Sequence, residues 1–454
     1  MTRTIAELGR AVRDGRTSIV ELTEQTLSAI ERWEPTIHAC LGDLADRARR
    51  QAERLQRELD RGEDRGPLHG IPLGVKDLID IEGEVTTAGS VILRDNVATS
   101  SAPVVQRLEE AGAVVVAKTN THEFAFGALT PPTRNPLDPA RMPGGSSGGS
   151  GALVGAGIVP AALGTDTAGS IREPAALCGV VGLKPTYGRT DLRGIVPLAW
   201  SLDTVGPIAA TVEDARAVLQ AMRPTGPDAP LRDRRSETVD IADLRIATWE
   251  ELTSRFERDV RGVHDDALAA LTEAGAEVVP VSLGSPDELV AATIVVLGAE
   301  ALSYHRPWLD TRRGEYAPDV LAYLDFSATI TAEDLVGARR LGAGFTRRLE
   351  QLWRDVDVLV TPAQLVVPPR IVDEEVLFED GRHGPRDLTL IHPLAPFNLS
   401  GHPAVSVPVG RTPDRGFPVS LQVVGPRGTE FGLLDVAAVV QRTCRWVPSW
   451  PEPP

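Results

Sequence analysis

The stretch Pro143-Gly-Gly-Ser-Ser-Gly-Gly-Ser-Gly151 is followed, after one short apolar segment, by a second glycine loop, Gly164-Thr-Asp-Thr-Ala-Gly-Ser-Ile-Arg-Glu-Pro174. Glycine reaches positive φ at low cost and leaves room for a substrate or a second backbone to approach, so each loop presents serine hydroxyls on specially shaped backbone. Ser146 and Ser170 lie in these loops, and Lys76 lies upstream. Two serines and a lysine in this setting predict a serine–serine–lysine hydrolase.

Lysine is scarce in this chain. Of the 47 basic residues only three are lysines: Lys76, Lys118 and Lys184. Arginine therefore supplies most of the positive charge, and a retained lysine is expected to do what arginine cannot. Arginine stays protonated at any accessible pH, whereas a buried ammonium can lose its proton and act as a base. Lys76 is the candidate general base, and an arginine-biased composition with three tolerated lysines is the alternative.

A longer block carries a family resemblance. Residues Gly144–Thr186 contain both glycine loops and the run Cys178-Gly-Val-Val-Gly-Leu-Lys-Pro-Thr186, and this block resembles the amidase signature family. The resemblance implies an α/β fold in which helices cover both faces of one large, twisted, mixed β-sheet. It extends over nearly the whole chain through four further matches: His69-Gly-Ile-Pro-Leu-Gly-Val-Lys-Asp77, Ala117-Lys-Thr-Asn120, Ser201-Leu-Asp-Thr-Val-Gly-Pro207 and Pro396-Phe-Asn-Leu-Ser-Gly-His-Pro403.

The resemblance also implies roles for the three candidate catalytic residues. It makes Ser170 the nucleophile and Lys76 the base, neutral in the resting enzyme. Ser146 would relay the proton and would be joined to Gly145 by a cis peptide bond. Amide carbonyls are poor electrophiles, so hydrolysis needs a proton acceptor, an oxyanion site and a proton for the leaving nitrogen. The proton would pass from Ser170 through Ser146 to Lys76 and then to the leaving group, and water would hydrolyse the acyl-enzyme.

Backbone N–H groups around the nucleophile are expected to form the oxyanion hole. The family resemblance assigns this role to four consecutive residues: Thr167, Ala168, Gly169 and Ser170. A helix that begins near Ile171 would add its positive end. Ala168 departs from the commonest family pattern, which has glycine at this position, and the difference concerns the fit of the acyl group more than catalysis.

Other residues of the two loops are expected to support the site. Asp166 and Arg172 flank the nucleophile, and we interpret them as a loop-bracing ion pair, with two unrelated surface charges as the alternative. Ser147 is expected to hold its loop through hydrogen bonds. Ser150 is expected to cap a helix over residues 151–157.

Composition and charge limit the classes of partner. The 454-residue chain has 42% hydrophobic residues, enough for a large core, and it carries a net charge of −16 with a pI near 5.1. Nucleic-acid binding usually needs a basic patch, and an acidic chain is not attracted to an anionic membrane surface. We therefore expect a small-molecule amide as the partner, no nucleic acid and no membrane. A homodimer is compatible with the sequence.

Cysteine, histidine and terminal patterns point to an intracellular enzyme without a cofactor. The three cysteines are far apart, which implies no disulfide framework, and the eight histidines form no close ligand pair, so we expect no metal. The first residues lack an apolar core of signal-peptide length. The longest nearly apolar stretch, Leu289–Ala299, is too short to span a bilayer. These features predict a cytoplasmic protein.

Helical and strand patterns alternate along the chain, as is typical of a parallel or mixed sheet covered by helices on both faces. Residues 18–60 are predicted to be helical, and Ile71–Val75 is predicted to be the strand that delivers Lys76. Three helix–strand units follow: Val104–Glu110 with Ala113–Ala117, Val263–Glu273 with Glu277–Val281, and Leu341–Arg354 with Val356–Val360.

We expect one domain over residues 1–454. Within it, residues 1–60 would be N-terminal helices, residues 61–222 the half with the catalytic motifs, and residues 238–454 the half that shapes the substrate pocket. The proline-rich and charged stretch 223–237 is interpreted as an internal connection, because the family resemblance implies that both halves build one sheet.

Other readings of the glycine loops are weaker. Gly144-Gly-Ser-Ser-Gly148 fits the Gly-x-Ser-x-Gly nucleophile elbow, but that motif needs a preceding strand, which Arg141-Met-Pro143 does not supply. A flexible Gly/Ser linker is disfavoured because the apolar run Ala152–Ala162 follows directly. A silent binding protein is disfavoured because the lysine and both serines are present together.

The main alternative lies within the family. In the tRNA-dependent amidotransferase, the A subunit carries the same triad, releases ammonia from glutamine and works with partner subunits. The segments Glu300–His305 and Glu333–Arg339 resemble stand-alone amidases, and the Arg-Tyr-Gly run associated with the amidotransferase is not evident. We therefore expect a stand-alone amidase that cleaves a small-molecule carboxamide and releases ammonia or an amine. The alternative is the glutamine-hydrolysing component of the amidotransferase.

Overall fold

The computed structural model describes residues 4–42, 44–223 and 239–454, and of residues 253 and 254 only the backbone. The expected connection 223–237 lies outside the described residues except for Arg223. The helices, α1 to α14 in chain order, are Ile5–Arg13, Ile19–Ile37, Ala45–Asp60, Pro103–Glu110, Gly148–Gly155, Arg172–Cys178, Val212–Met222, Arg258–Glu273, Pro286–Leu309, Pro318–Ser327, Ala332–Leu352, Arg386–Ile391, Pro396–Leu399 and Glu430–Thr443. The strands, β1 to β13, are Cys40–Leu41, Pro72–Lys76, Val114–Thr119, Ala161–Asp166, Val181–Lys184, Thr204–Ala209, Arg245–Trp249, Glu277–Val281, Val358–Pro362, Glu375–Leu377, His383–Pro385, Ala404–Arg411 and Pro418–Val424.

Strands from both halves of the chain share one mixed sheet. Across the described residues its order is β1-β3-β2-β4-β6-β5-β12-β13-β9-β7-β8, and β10 pairs with β11 separately. Strand β2 is parallel to both β3 and β4, and β7 is parallel to both β8 and β9. The two halves meet where β5 pairs with β12 in antiparallel orientation. This arrangement confirms the expected large mixed sheet.

The centre of the sheet is covered on both faces. Every residue of β2, β3, β4 and β13 is buried, although successive side chains of a strand point to opposite faces. The largest hydrophobic cluster joins the N-terminal helices to the last helix, and it includes Ile19, Val75, Val358 and Leu434. Helices therefore pack on both sides of the sheet, as expected for this fold class.

The predicted helix–strand units are present as α4–β3, α8–β8 and α11–β9. The prediction for α11 began too late, since the helix starts at Ala332 and not at Leu341. Thr331 and Asp334 form a capping box there: the Thr331 hydroxyl accepts from the Asp334 N–H, and the Asp334 carboxylate accepts from the Thr331 N–H. This local signal, which the apolar pattern alone did not reveal, fixes the start of the helix.

Helix α9 is longer than the apolar stretch that suggested it. Its 24 residues make it the one helix in the described parts of the chain that could cross a membrane by length and composition alone. Glu300 and His305 interrupt the apolar pattern, yet both side chains are buried. Half of the apolar window is buried inside the protein, and α9 packs against α10 and α11, which is the environment of a core helix.

Candidate active site

The sheet brings Lys76 to the edge where two parallel strands end. Lys76 is the last residue of β2, and Asp166 is the last residue of the neighbouring strand β4. The carboxyl ends of adjacent parallel strands lie on the same side of a sheet, and sites in α/β folds commonly form there. Both glycine loops adjoin these strand ends. The first loop leads into α5, and the second loop follows directly from β4.

The Lys76 ammonium lies among three hydroxyl groups. Its Nζ is 2.8 Å from Ser146 Oγ, 2.8 Å from Ser147 Oγ and 2.9 Å from Thr165 Oγ1, and the side chain is fully buried. Burial lowers the pKa of Lys76 to about 7, although the charges of Asp166 and Asp203 act in the opposite direction. A lysine with this pKa is partly neutral at physiological pH and can accept a proton.

Ser147 fixes the direction of the hydrogen bonds around Lys76. Its hydroxyl donates to the Thr165 carbonyl oxygen at 3.1 Å, so toward Lys76 it acts as an acceptor. Ser146 Oγ contacts Lys76, and its own proton is not committed to another acceptor among the described residues. Ser146 is therefore the hydroxyl that can give its proton to a neutral lysine. The Gly145–Ser146 peptide bond is cis, as expected.

Ser170 lies beside this group and is partly exposed. The Ser147 N–H donates to the Ser170 carbonyl oxygen at 3.3 Å, which joins the two glycine loops through the backbone. In the described residues no hydrogen bond links the Ser170 and Ser146 side chains. A transfer between them needs that bond to form with substrate present, and such bonds are often looser in unliganded enzymes.

The N–H groups expected to form the oxyanion hole are not equivalent. The Gly169 N–H donates to Asp166 Oδ1 at 2.9 Å and is therefore occupied. The N–H groups of Thr167, Ala168 and Ser170 have no acceptor among the described residues. The loop can thus offer three free donors. Gly169 instead shapes the loop: its φ is +133°, and an added Cβ would lie 2.7 Å from Leu394.

Asp166 and Arg172 form the expected ion pair, and it is fully buried. Arg172 Nη2 lies 2.8 Å from Asp166 Oδ1, and Nε lies 2.9 Å from Oδ2. Arg172 also donates to the Leu394 carbonyl oxygen and to Asn398 Oδ1. Burial alone would raise the pKa of Asp166, but the charge and hydrogen bonds of Arg172 outweigh it and lower that pKa. The pair links the second glycine loop to the segment before β12.

Asp203 belongs to the site, although the sequence assigned it no role. It accepts a 2.6 Å hydrogen bond from Thr167 Oγ1 and two bonds from the N–H groups of Leu198 and Ala199. Burial raises the pKa of Asp203 to about 7, against the effect of these hydrogen bonds. Asp203 lies in the motif Ser201–Pro207, which is part of the family resemblance. The motif alone does not show that Asp203 contacts Thr167.

All three lysines of the chain are buried, and two have structural partners. Lys118 Nζ lies 3.0 Å from Asp77 Oδ1 and donates to the Ile79 carbonyl oxygen. Lys184 donates to the Pro185 carbonyl oxygen at 2.9 Å, and burial together with the nearby Arg172 charge lowers its pKa to about 7. The few lysines of this chain are therefore all at buried positions, and burial alone does not single out a base. Lys76 differs from the other two because its Nζ contacts three hydroxyl groups.

The expected helix cap at Ser150 is wrong. Helix α5 begins at Gly148, so Ser150 lies inside its first turn. The Ser150 hydroxyl donates to the Leu163 carbonyl oxygen at 2.8 Å and lies 2.7 Å from Thr119 Oγ1. It ties the helix to the sheet below and does not touch Lys76.

A cavity of about 220 Å³ adjoins the hydroxyl cluster. Thr165 and Thr167 line it on either side of Asp166, and Trp200, which is 49% exposed, lines its outer part. Phe124, by contrast, is fully buried and stacks 5.7 Å from Trp308. Of these two aromatic side chains, Trp200 faces a cavity of the site and Phe124 belongs to the core.

Comparisons with known proteins agree on the family of the chain. The amidase family model matches residues 21–434. A relative from Roseiflexus castenholzii, named as the A subunit of glutamyl-tRNA(Gln) amidotransferase, is 36% identical over 99% of this chain and 97% of its own length. A relative of the same name from Halorhodospira halophila is 37% identical over 99% of each chain. A solved structure, described as a vestigial protein complex that reveals the origins of an s-triazine catabolic enzyme, has a TM-score of 0.91 at 34% identity, covering 97% of this chain and 98% of that one.

These relatives overturn two expectations. The stand-alone amidase with a small-molecule substrate is not supported, because the relatives are named for one component of an amidotransferase. The expectation of a small-molecule partner without nucleic acid is also wrong. The relatives are named for an enzyme that acts on glutamyl-tRNA(Gln), and one structural neighbour is described as a protein complex. The segments that suggested a stand-alone enzyme have a structural role: Glu300 accepts from Ser201 Oγ and from Arg339 Nη2. Such a brace does not distinguish substrates.

Proposed function

The chain belongs to the amidase signature family, and from that membership we propose that it is the A subunit of a tRNA-dependent amidotransferase. In this role it hydrolyses the side-chain amide of glutamine and supplies ammonia for transfer to glutamyl-tRNA. Action on amide C–N bonds is common to the family. The observation that carries the finer proposal is the similarity to the Roseiflexus castenholzii relative over 99% of this chain and 97% of that protein.

The site supports a two-step acyl transfer. Neutral Lys76 accepts a proton from Ser146 across the 2.8 Å contact, and Ser146 takes the proton of Ser170. The Ser170 oxygen adds to the amide carbonyl carbon and forms a tetrahedral intermediate. The proton held by Lys76 then returns through Ser146 to the leaving nitrogen, the C–N bond breaks, and ammonia departs.

Deacylation repeats the steps with water. The water oxygen adds to the acyl carbon while a water proton passes to Ser146, and Ser146 passes its own proton to Lys76. Collapse of the second intermediate breaks the bond to Ser170 Oγ, which recovers the proton, and glutamate leaves. Both steps use the same lysine in both protonation states, which suits a lysine whose pKa is about 7.

Three backbone donors are proposed to stabilise the oxyanion. The N–H groups of Thr167, Ala168 and Ser170 have no acceptor among the described residues and can point their partial charge at the developing oxyanion. Gly169 N–H is bound to Asp166 and holds the loop in shape. The proposed oxyanion hole therefore differs from the sequence-based expectation by one donor.

The acidic charge of the chain limits how tRNA can take part. With a net charge of −16, this chain offers little electrostatic attraction to a phosphate backbone. We therefore infer that other subunits of the assembly hold most of the tRNA, while this chain releases ammonia. A cytoplasmic location belongs to the same proposal, since aminoacyl-tRNA is used in protein synthesis there.

Ammonia release from L-glutamine tests the proposal. The chain is assayed alone and with the remaining amidotransferase subunits of its source organism, with and without glutamyl-tRNA. We expect ammonia release in the assembly, loss of it in Ser170→Ala, and formation of glutaminyl-tRNA. A fluorophosphonate should label Ser170, located by peptide mass mapping. Labelling of Ser146, or no glutamine hydrolysis in any assembly, would contradict the proposal.

A further inference from the structure

Glu173 connects the two glycine loops through its side chain. It is the second residue of α6, and its Oε1 accepts a 3.3 Å hydrogen bond from the N–H of Gly145. Among the described residues this carboxyl oxygen is the only acceptor of that N–H. Gly145 directly precedes Ser146. The hydrogen bond of Glu173 therefore ends next to the proposed relay serine.

The start of α6 lies directly against the first glycine loop. An added Cβ on Gly144 would lie 2.8 Å from the Cα of Pro174 and 3.3 Å from Glu173 Oε1, so glycine is needed for this close approach. The Glu173 N–H donates to the Gly169 carbonyl oxygen at 2.8 Å. Glu173 thus has its backbone in the second glycine loop, three residues after Ser170, and its side chain on the first.

The carboxyl group of Glu173 is buried without a counter-charge. The residue is 1% exposed, and its Oε2 has no hydrogen-bond partner among the described residues. The adjacent Arg172 is paired with Asp166, and Arg386 donates to Asp387 at 2.7 Å. A buried carboxylate with one unpaired oxygen is costly, whereas the neutral acid leaves only a hydroxyl unpaired. The contacts therefore favour an un-ionised Glu173.

The charges around Glu173 favour the neutral acid as well. Burial raises the pKa of Glu173 well above its usual range, and the negative charges of Asp387 and Asp166 act in the same direction. The backbone N–H bound to Oε1 and the charge of Arg386 oppose this effect and do not outweigh it. Cys178 on the same helix adds no charge, because burial and the proximity of Glu173 raise the pKa of its thiol. Since Oε1 accepts a hydrogen bond, the acid proton is on Oε2.

We propose that Glu173 is a positioning residue of the acyl-transfer reaction: its side chain holds Gly145, and through it Ser146, where Ser146 can take the proton of Ser170. The inference rests on the proton relay of the proposed function. No hydrogen bond links the Ser146 and Ser170 side chains among the described residues, so their approach depends on how the two loops are held. Glu173 supplies a side-chain bond between these loops.

Two substitutions of Glu173 test this role through the rate at which a fluorophosphonate labels Ser170. Glu173→Gln keeps a neutral acceptor of the same shape, whereas Glu173→Leu leaves the Gly145 N–H without a partner. We expect Glu173→Leu to lower the labelling rate roughly ten- to hundredfold and Glu173→Gln to stay within about threefold of wild type. In the assembled enzyme, kcat for L-glutamine should fall in parallel at nearly unchanged KM. Wild-type labelling of Glu173→Leu, or labelling of Glu173→Gln as slow as that of Glu173→Leu, would overturn the assignment.

Urea unfolding at pH 5, 6 and 7 tests the protonation state of Glu173. A glutamate in an unfolded chain ionises at a pH of about 4.3. Folded Glu173 keeps its proton to higher pH, so folding of the wild type takes up a proton in this range and becomes less favourable as the pH rises. Glu173→Gln has no such proton, and its folding equilibrium constant should gain up to about tenfold over wild type per pH unit. A stability difference that does not widen with pH would overturn the assignment.

Glu58→Gln is the matched control. Glu58 is also buried, but its two oxygens each accept from Arg65 at 2.7 Å, and these hydrogen bonds lower the pKa of Glu58. Glu58 is therefore ionised in both the folded and the unfolded chain across most of this range. We expect the stability difference between Glu58→Gln and wild type to change little from pH 5 to 7, and the labelling of Ser170 to stay at the wild-type rate.

Labelling and unfolding need no L-glutamine, so they separate this assignment from the proposed function. If the assembled enzyme releases ammonia but Glu173→Leu is labelled at the wild-type rate, the assignment fails and the function stands. If labelling and unfolding follow expectation but no assembly hydrolyses L-glutamine, the assignment stands and the function fails. If Glu173→Leu does not fold, Glu173→Gln decides: labelling slowed by more than about threefold, or a stability difference that stays constant with pH, overturns the assignment.

Discussion

Lys76 Nζ lies 2.8 Å from Ser146 Oγ although 70 residues separate them in the chain. The two side chains are fully buried, so the contact is shielded from solvent. It joins the end of strand β2 to the loop before α5. The same desolvation lowers the pKa of Lys76, so the fold supplies a partly neutral amine near pH 7 that a surface lysine would lack.

Replacement of Lys76 by methionine should abolish the reaction with little change in packing. Methionine has a similar length but no proton acceptor, so we expect kcat/KM for L-glutamine to fall by roughly 10² to 10⁴-fold. The measurement is ammonia release, together with fluorophosphonate labelling of Ser170, which should be lost as well. Circular dichroism checks that the variant is folded. A folded Lys76→Met protein that retains wild-type labelling would remove Lys76 from the mechanism.

The pH profile should report the titration of Lys76. The base must be neutral, and its pKa is about 7, so kcat/KM should rise with pH through neutrality and fall about tenfold per unit on the acid side. Asp203, whose own pKa is raised to about 7 by burial, favours the protonated lysine whenever its carboxyl group is ionised. Asp203→Asn should therefore move the acid limb to lower pH, which initial rates between pH 5 and 9 can measure. If the acid limb of Asp203→Asn stays in place or moves to higher pH, that limb does not report the titration of Lys76.

Ser147 and Ser150 form a matched pair of buried serines, and only Ser147 contacts Lys76. We expect Ser147→Ala to lower kcat by roughly tenfold, because Lys76 loses one of its three hydroxyl partners and can turn away from Ser146. Ser150→Ala should leave kcat within about threefold of wild type, and each variant should lose about 1 kcal/mol of stability from a broken hydrogen bond. The comparison uses kcat and urea unfolding. Equal kcat values in both variants would show that Ser147 does not position the lysine.

The sequence could predict the local parts of this site but not the long-range ones. Lys76, Ser146 and Ser170 each lie in a short motif whose glycines and residue types are visible without structure. Thr165 also lies in the second glycine loop, but its contact with Lys76, 89 residues away, arises because β4 lies next to β2 in the sheet. Strand order is set by packing over the whole chain, and a single sequence does not encode it in any local pattern.

Two errors in the loops have local causes. Ser150 was expected to cap a helix that begins at residue 151, but α5 begins three residues earlier, at Gly148, and its N-cap position is Ser147. Gly169 was assigned to the oxyanion hole, but its N–H is taken by Asp166. Whether a loop N–H faces the substrate or its own loop depends on hydrogen-bond partners, and those appear only with the backbone geometry.

The buried pair Asp166–Arg172 should dominate the stability of the nucleophile loop. Arg172→Met leaves Asp166 charged and buried without its main partner, and we expect a loss of about 3–5 kcal/mol in the free energy of unfolding. Arg61 is the matched control: its pair with Glu63 is more than half exposed on both sides, so Arg61→Met should cost less than about 1 kcal/mol.

The double variant Asp166→Asn, Arg172→Met tests the physical reason for that loss. It removes both charges, so it should be more stable than Arg172→Met alone, as measured by urea unfolding. It should still be slow on L-glutamine, because the Gly169 and Ile171 N–H groups donate to different oxygens of Asp166 and an asparagine keeps only one of these acceptors. If Arg172→Met and Arg61→Met lose the same free energy of unfolding, the Asp166–Arg172 pair does not brace the loop. A double variant with wild-type kcat would mean that the brace does not position Ser170.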